Sequence, residues 1–150
     1  MRMFCSLFCL ALLCFHAVQV GAETATAGRV KTLTGTAQII RGSLILPVAV
    51  GDVVLTNDTL TTGEGASLGL MLEDDTVLSM GPGSSMTLQD FVFEPQSELF
   101  ALAIRLVKGS FAYMSGVIGR LAPEKIRIET PDVVIATLGT KFVVSVEGKK

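Results

Sequence analysis

Glu73-Asp74-Asp75 is the densest group of carboxylates in this 150-residue chain, and adjacent acids on one loop are what a hard cation such as calcium binds. The alternating Asp-x-Asp-x-Asp-Gly spacing of a calcium loop is missing, and consecutive short polar side chains also suit a solvated turn, so a turn is the reading adopted. Scattered acids, Asp52, Asp58, Glu64, Asp75 and Asp90, offer carboxylate pairs for glycoside hydrolysis, but each falls where a turn wants a polar side chain. Serine nucleophiles need a base, and the nearest candidates are Lys108 beside Ser110 and Lys141 near Ser145. Gly81-Pro82-Gly83 is followed by no Lys and no helix, which makes it a turn rather than a phosphate loop. Met71, Met80, Met86 and Met114 offer soft thioethers to copper, and Phe91, Phe93, Phe100, Phe111, Phe142 and Tyr113 offer a face to a sugar; at alternating strand positions both sets more often fill core. No catalytic constellation emerges, and the expectation is a non-enzymatic chain without catalytic, cofactor or metal residues.

The amino terminus removes most of the remaining options. Met1 to Ala22 has Arg2, an apolar run from Met3 to Leu13 and the small-residue ending Val20-Gly21-Ala22, the composition of a secretory signal cut between Ala22 and Glu23. A retained membrane anchor is the competing reading, weakened by His16 and Gln19 within the segment. A lipid on Cys14 lacks the small preceding residue that such processing needs. All three cysteines and the single histidine lie in this segment, so residues 23–150 would form no disulfide and lack the commonest zinc and copper ligands. The expected location is periplasmic or secreted, with no membrane span after signal removal. A net charge of −2 with both signs scattered offers no basic stripe for nucleic acid.

The rest of the chain reads as strands. After a short polar lead, 23–27, alternation and turn residues predict strands at 29–34, 37–41, 44–50, 53–55, 60–62, 67–72, 77–80, 85–88, 91–93, 102–107, 110–114, 125–129, 133–137 and 141–146. Lys108-Gly109-Ser110 reads as a hairpin turn, Pro95 as the start of a helical turn, and 116–123 as a surface loop. Close turns and no long helix imply an all-β fold: a short β-solenoid or β-roll of stacked strands, favoured by the ten-residue recurrence from Gly51 to Gly81, or a flattened β-sandwich.

The order of these pieces resembles the FecR-type domain. The carrying residues are Gly28-Arg29-Val30 and Gly35-Thr36-Ala37, then Gly51-Asp52, Asp58-Thr59-Leu60, Thr61-Thr62-Gly63, Asp75-Thr76 and Gly81-Pro82. The closing signature is Thr130-Pro131 followed by Ile135-Ala136-Thr137-Leu138-Gly139-Thr140-Lys141-Phe142. The resemblance spans residues 28–150 as a single domain and assigns Gly51, Asp52, Thr62, Gly63, Asp75, Pro131, Gly139 and Thr140 as structural positions. It also implies an all-β module with solenoid character. Leu138 stands where that family usually has Arg, so a role tied to the Arg does not carry over.

The expectation for function is an exported, non-enzymatic module that docks another envelope or secreted protein, or a second copy of itself. A carbohydrate- or peptidoglycan-binding module is the alternative, which exposure of Phe91, Phe93 and Tyr113 would favour; an envelope hydrolase comes third. The resemblance implies a sigma-factor-holding region and a membrane span in regulatory family members, and this sequence shows neither, which argues against direct sigma-factor control. Docking is expected at an exposed strand edge in 141–146, with Val144 as the position where proline would remove a backbone donor.

Overall fold

The computed structural model describes residues 25–136 and 141–148. The signal and its cleavage pair Ala22 and Glu23, together with Leu138, Gly139 and Thr140, lie outside the described residues.

Two-residue alternation sets the strands. Leu68, Leu70 and Leu72 are buried while Ser67 is exposed, and Leu78 and Met80 bury beside exposed Ser79, as one solvated face and one packed face require. The strands are β1 Thr26–Thr34, β2 Ala37–Arg41, β3 Leu44–Pro47, β4 Val53–Leu55, β5 Thr59–Thr62, β6 Ser67–Leu72, β7 Val77–Met80, β8 Ser85–Glu94, β9 Leu99–Met114, β10 Ile126–Glu129, β11 Val134–Ala136 and β12 Lys141–Val146. A one-turn helix, α1 Val117–Leu121, and 3-10 turns at Pro95–Ser97 and Pro123–Lys125 complete the described elements. The helical turn expected after Pro95 is the first of these. The polar lead is shorter than expected, since β1 begins at Thr26 and Ala27 is fully buried.

The fold is all-β, as expected. Its strands form one sheet in the order β3-β2-β5-β8-β9-β7-β6-β1-β4, with β10 and β12 added on β9 and β11 on β10. Every pairing is antiparallel except β9 with β10. Of the turns recurring every ten residues, that between β6 and β7 joins paired neighbours, while those after β5 and β7 carry the chain between strands that do not pair with each other. The architecture is one open, curled sheet rather than a stack of coils or a pair of separate sheets.

Strand β9 makes the curl. Its first half pairs with β8 and β10, and its second half with β7 and β12. Leu102, Ile104 and Leu106 face inward before Gly109, whereas Phe111 and Tyr113 do so after it, so the inward parity switches at the bend. Gly109 takes φ +101° there, and a Cβ at this position would come within 2.5 Å of Ser84 Cα; only glycine satisfies both demands. The expected hairpin at Lys108–Ser110 is therefore a bend within one strand, because each half finds its own partners instead of the other half. Both halves face one core, from Val30 and Leu70 on one side to Leu88 and Ile104 on the other.

The span 116–123 is also corrected. It holds α1, with Ile118 fully buried, because this segment carries the chain across from β9 to the parallel strand β10 and must cover the core as it passes.

Candidate functional site

The polar residues singled out in sequence mostly fasten the fold. Asp74, at the centre of the acidic turn, is fully buried, not solvated. Its Oδ2 accepts Thr76 Oγ1–H at 2.8 Å and Ile118 N–H at 3.1 Å, and its Oδ1 accepts Thr76 N–H at 3.1 Å. Thr76 Oγ1 in turn accepts Gly116 N–H at 3.2 Å. Asp74 is thus the acceptor that ties the start of α1 to the β6–β7 turn, while Glu73 and Asp75 are exposed and Asp75 takes the turn's positive φ of 65°. A buried carboxylate within an acidic run has no distinguishing local pattern, and its partner lies 44 residues away.

Asp58 is likewise fully buried and bidentate with Arg41: Arg41 Nε donates to Oδ1 at 2.8 Å and Nη2 to Oδ2 at 2.7 Å, while Leu55 N–H donates to Oδ2 at 2.8 Å. The hydrogen bond to Asp58 holds the Arg41 guanidinium above its ordinary pKa, burial opposing it. Thr62 Oγ1 donates to Gly81 O at 2.7 Å and accepts Ser84 N–H at 2.9 Å, and Ser84 Oγ accepts Ser110 N–H at 3.1 Å. These contacts join the Thr61–Gly63, Gly81–Gly83 and Lys108–Ser110 segments where the sheet bends. Gly63 N–H bonds Thr36 O, and Gly51, at φ +96°, donates to Val30 O. Asp52 accepts Ala49 N–H at 2.8 Å. Pro131 sits in an exposed turn closed by Thr130 N–H to Val133 O at 2.8 Å.

The chemical candidates do not assemble into a centre. Lys141 and Ser145 are four residues apart on one strand, about 13 Å at the rise of an extended chain, too far for a dyad. Phe91, Phe111 and Tyr113 are buried, Tyr113 stacks on Phe142 at 5.0 Å between centroids, and Phe93 packs on Phe100 at 6.2 Å. This packing takes Phe91 and Tyr113 away from any sugar-facing surface. Burial raises the Tyr113 phenol pKa. Met80 and Met86 fill the core. Among the described residues no group of three or more His, Cys, Asp and Glu is placed to hold a metal ion.

What the structure leaves open is an edge. Strand β12 pairs with β9 from Lys141↔Met114 to Val146↔Gly109 without a register shift, and with nothing else among the described residues. The direction of its backbone groups follows from Ser110, whose O accepts Gly81 N–H and whose N–H reaches Ser84. Both groups therefore point away from β12, and alternation turns Phe111 and Tyr113 toward it. Val144 and Phe142, opposite those two, are bonded to β9, and Lys141, Val143 and Ser145 present their N–H and C=O groups outward. This corrects the expectation for Val144: the free donor is one residue earlier, at Val143, a residue that is 72% exposed.

The other edges are poorer templates. Strand β3 carries Pro47, which has no N–H, and β4 and β11 have three residues each against six in β12. Beside β12 an open groove of about 440 Å³ is lined by Val144, Ser145 and Glu147 on one wall and by Asp132, Val133 and Ile135 on the other. Next to the far wall Glu129, opposite Val134 in the β10–β11 pair, accepts from Arg105 Nη2 at 3.0 Å and pairs with Arg127 Nε at 2.6 Å. The Arg105 hydrogen bond lowers the Glu129 pKa, with burial opposing and the charges of Arg127 and Arg105 assisting.

No curated protein and no solved structure matches this chain. The sequence model of the FecR protein family matches residues 58–150, which contain β5 through β12 and so the whole open edge. Covering more than half of the sequence, the match places this chain in the FecR family.

Proposed function

We propose that this chain is an exported, non-enzymatic FecR-family module that docks another envelope or secreted protein by accepting a strand on β12. Family membership supports an envelope-associated regulatory or signalling setting. The observation that carries the docking reading is the one-sided pairing of β12, six residues long, beside an open groove of mixed polar and apolar lining. A strand added there would gain backbone hydrogen bonds from Val143 and Ser145, and its inward side chains would cover half-buried Val144 and Ile135. A non-enzymatic role is supported by the carboxylates themselves, since Asp58 and Asp74 are both buried and committed to internal donors.

The test is capture from envelope extract by the exported chain and by its Val143→Pro variant. Proline at Val143 removes an outward N–H without touching the β9 ladder, so the variant should melt like the parent and lose the captured protein. A folded variant that captures the same protein equally well would refute docking at this edge.

A further inference from the structure

The occupant of an edge must match its hydrogen-bonding groups, its outward side chains and its charges. On β12 the outward series is Lys141, Val143 and Ser145, and the same alternation continued past the strand's end reaches exposed Glu147, so the edge begins with a cation and is followed by an anion. Neither Lys141 nor Glu147 has an ion-pair partner among the described residues. An edge with opposite charges at its two ends is complementary to itself read backwards.

We infer that β12 pairs antiparallel with β12 of a second copy about a two-fold axis at Val144, in the register Lys141↔Glu147 and Val143↔Ser145. Every residue in this register that faces the partner is one whose backbone groups point outward, so the ladder closes with hydrogen-bonded pairs. The two-fold axis makes the contact isologous, and each charged pair therefore occurs twice. A one-residue slip would place inward-directed backbone groups opposite outward ones and break the ladder. A two-residue slip would pair Val143 with itself and leave Lys141 opposite Ser145, losing both ion pairs. The outer face of the pair then carries Val143 and Ser145 side by side at its centre, with the charges at the margins.

This inference rests on the reading that β12 is the docking edge, and it names a second copy as an occupant of that edge. A self-paired edge is also a covered one, so a partner's strand would have to displace the second copy.

The experiment is sedimentation velocity on the exported chain over about a thousandfold concentration range, repeated with Lys141→Glu, Glu147→Lys and the double exchange. A reversible dimer is expected, weakened on the order of tenfold by either single reversal, which sets like charges opposite each other twice. The double exchange should restore it. All three variants change exposed side chains, and melting curves check that each is folded. A wild-type chain that stays monomeric throughout overturns the inference, as does a dimer whose double exchange is as weak as the singles or one that survives Val143→Pro. If the monomeric chain still captures an envelope protein through Val143, self-pairing alone has failed; if neither happens, the docking reading fails with it.

Discussion

Arg41 and Asp58 form a bidentate ion pair across the boundary of the family match, which begins at Asp58. Arg41 ends β2, which pairs with β5 near one end of the strand order, while β1 pairs with β6 near the other. The 32 or so residues from β1 to the β4–β5 turn are therefore part of the same core, with Ala27, Val30, Ile39 and Val54 all buried in it. Replacing Asp58 with Ala leaves the Arg41 guanidinium and the Leu55 N–H without their acceptor. The expected loss is about 3 kcal/mol, moderated because Arg41 keeps some contact with water. In a chain of this size that is a fall in Tm of about 10 °C, and an unchanged melt would show that the pair contributes nothing net.

Asp74→Ala removes the acceptor for Thr76 N–H, Thr76 Oγ1–H and Ile118 N–H together. Three donors are then left in a site closed to solvent, at a cost of about 3 kcal/mol. Glu73→Ala and Asp75→Ala, on exposed neighbours, should each change stability by no more than about 0.5 kcal/mol. Equal effects from all three in urea titrations would return the segment to an ordinary solvated turn.

Gly109→Ala tests the bend in β9. The substitution meets both a positive φ and the Ser84 backbone, and it should destabilise by about 2 kcal/mol or more. Gly42→Ala is the matched control, since φ is +60° there but a Cβ would meet nothing within 4 Å; it should cost about 1 kcal/mol. If the two variants melt together, close approach to Ser84 plays no part.

Glu129 has a pH consequence. Its folded pKa lies below the ordinary 4.5 because Arg105 donates to it, so its contribution is present above that value and lost as pH falls through the lowered one. Arg105→Ala or Glu129→Gln should flatten the decline in stability between pH 4.5 and more acid conditions, relative to the parent, with little change near neutrality. Parallel pH profiles for parent and variants would contradict the assignment.

Strands whose face is decided by alternation were legible in the sequence: 37–41, 53–55, 67–72, 77–80 and 141–146 appear with those bounds. Connections between them were not. Gly109 reads identically as a hairpin turn or a bend, because the choice depends on whether 102–107 pairs with 110–114 or with strands far away in the chain. The same limit hid α1, whose five residues are too few for a helical period and which is fastened through Asp74. Acidic positions showed as turns, but nothing local distinguishes buried Asp58 and Asp74 from exposed Asp75. Among the described residues, strand 141–146 is unpaired on one side, at the position where an open edge was expected. Which of its donors is free was not legible, since Val143 and Val144 differ only by a parity set through Ser110 and its contacts to Gly81 and Ser84.

The most direct measurement of the docking account is amide hydrogen exchange along β12, read residue by residue as the edge is filled. In dilute chain, Phe142, Val144 and Val146 should be protected by β9 while Lys141, Val143 and Ser145 exchange freely. Raising the concentration, or adding the captured envelope protein, should slow Val143 and Ser145 and leave Val144 as it was. Protection of Val143 and Ser145 already present in dilute monomer, or no change at either when the complex forms, would contradict the claim that β12 is the docking edge.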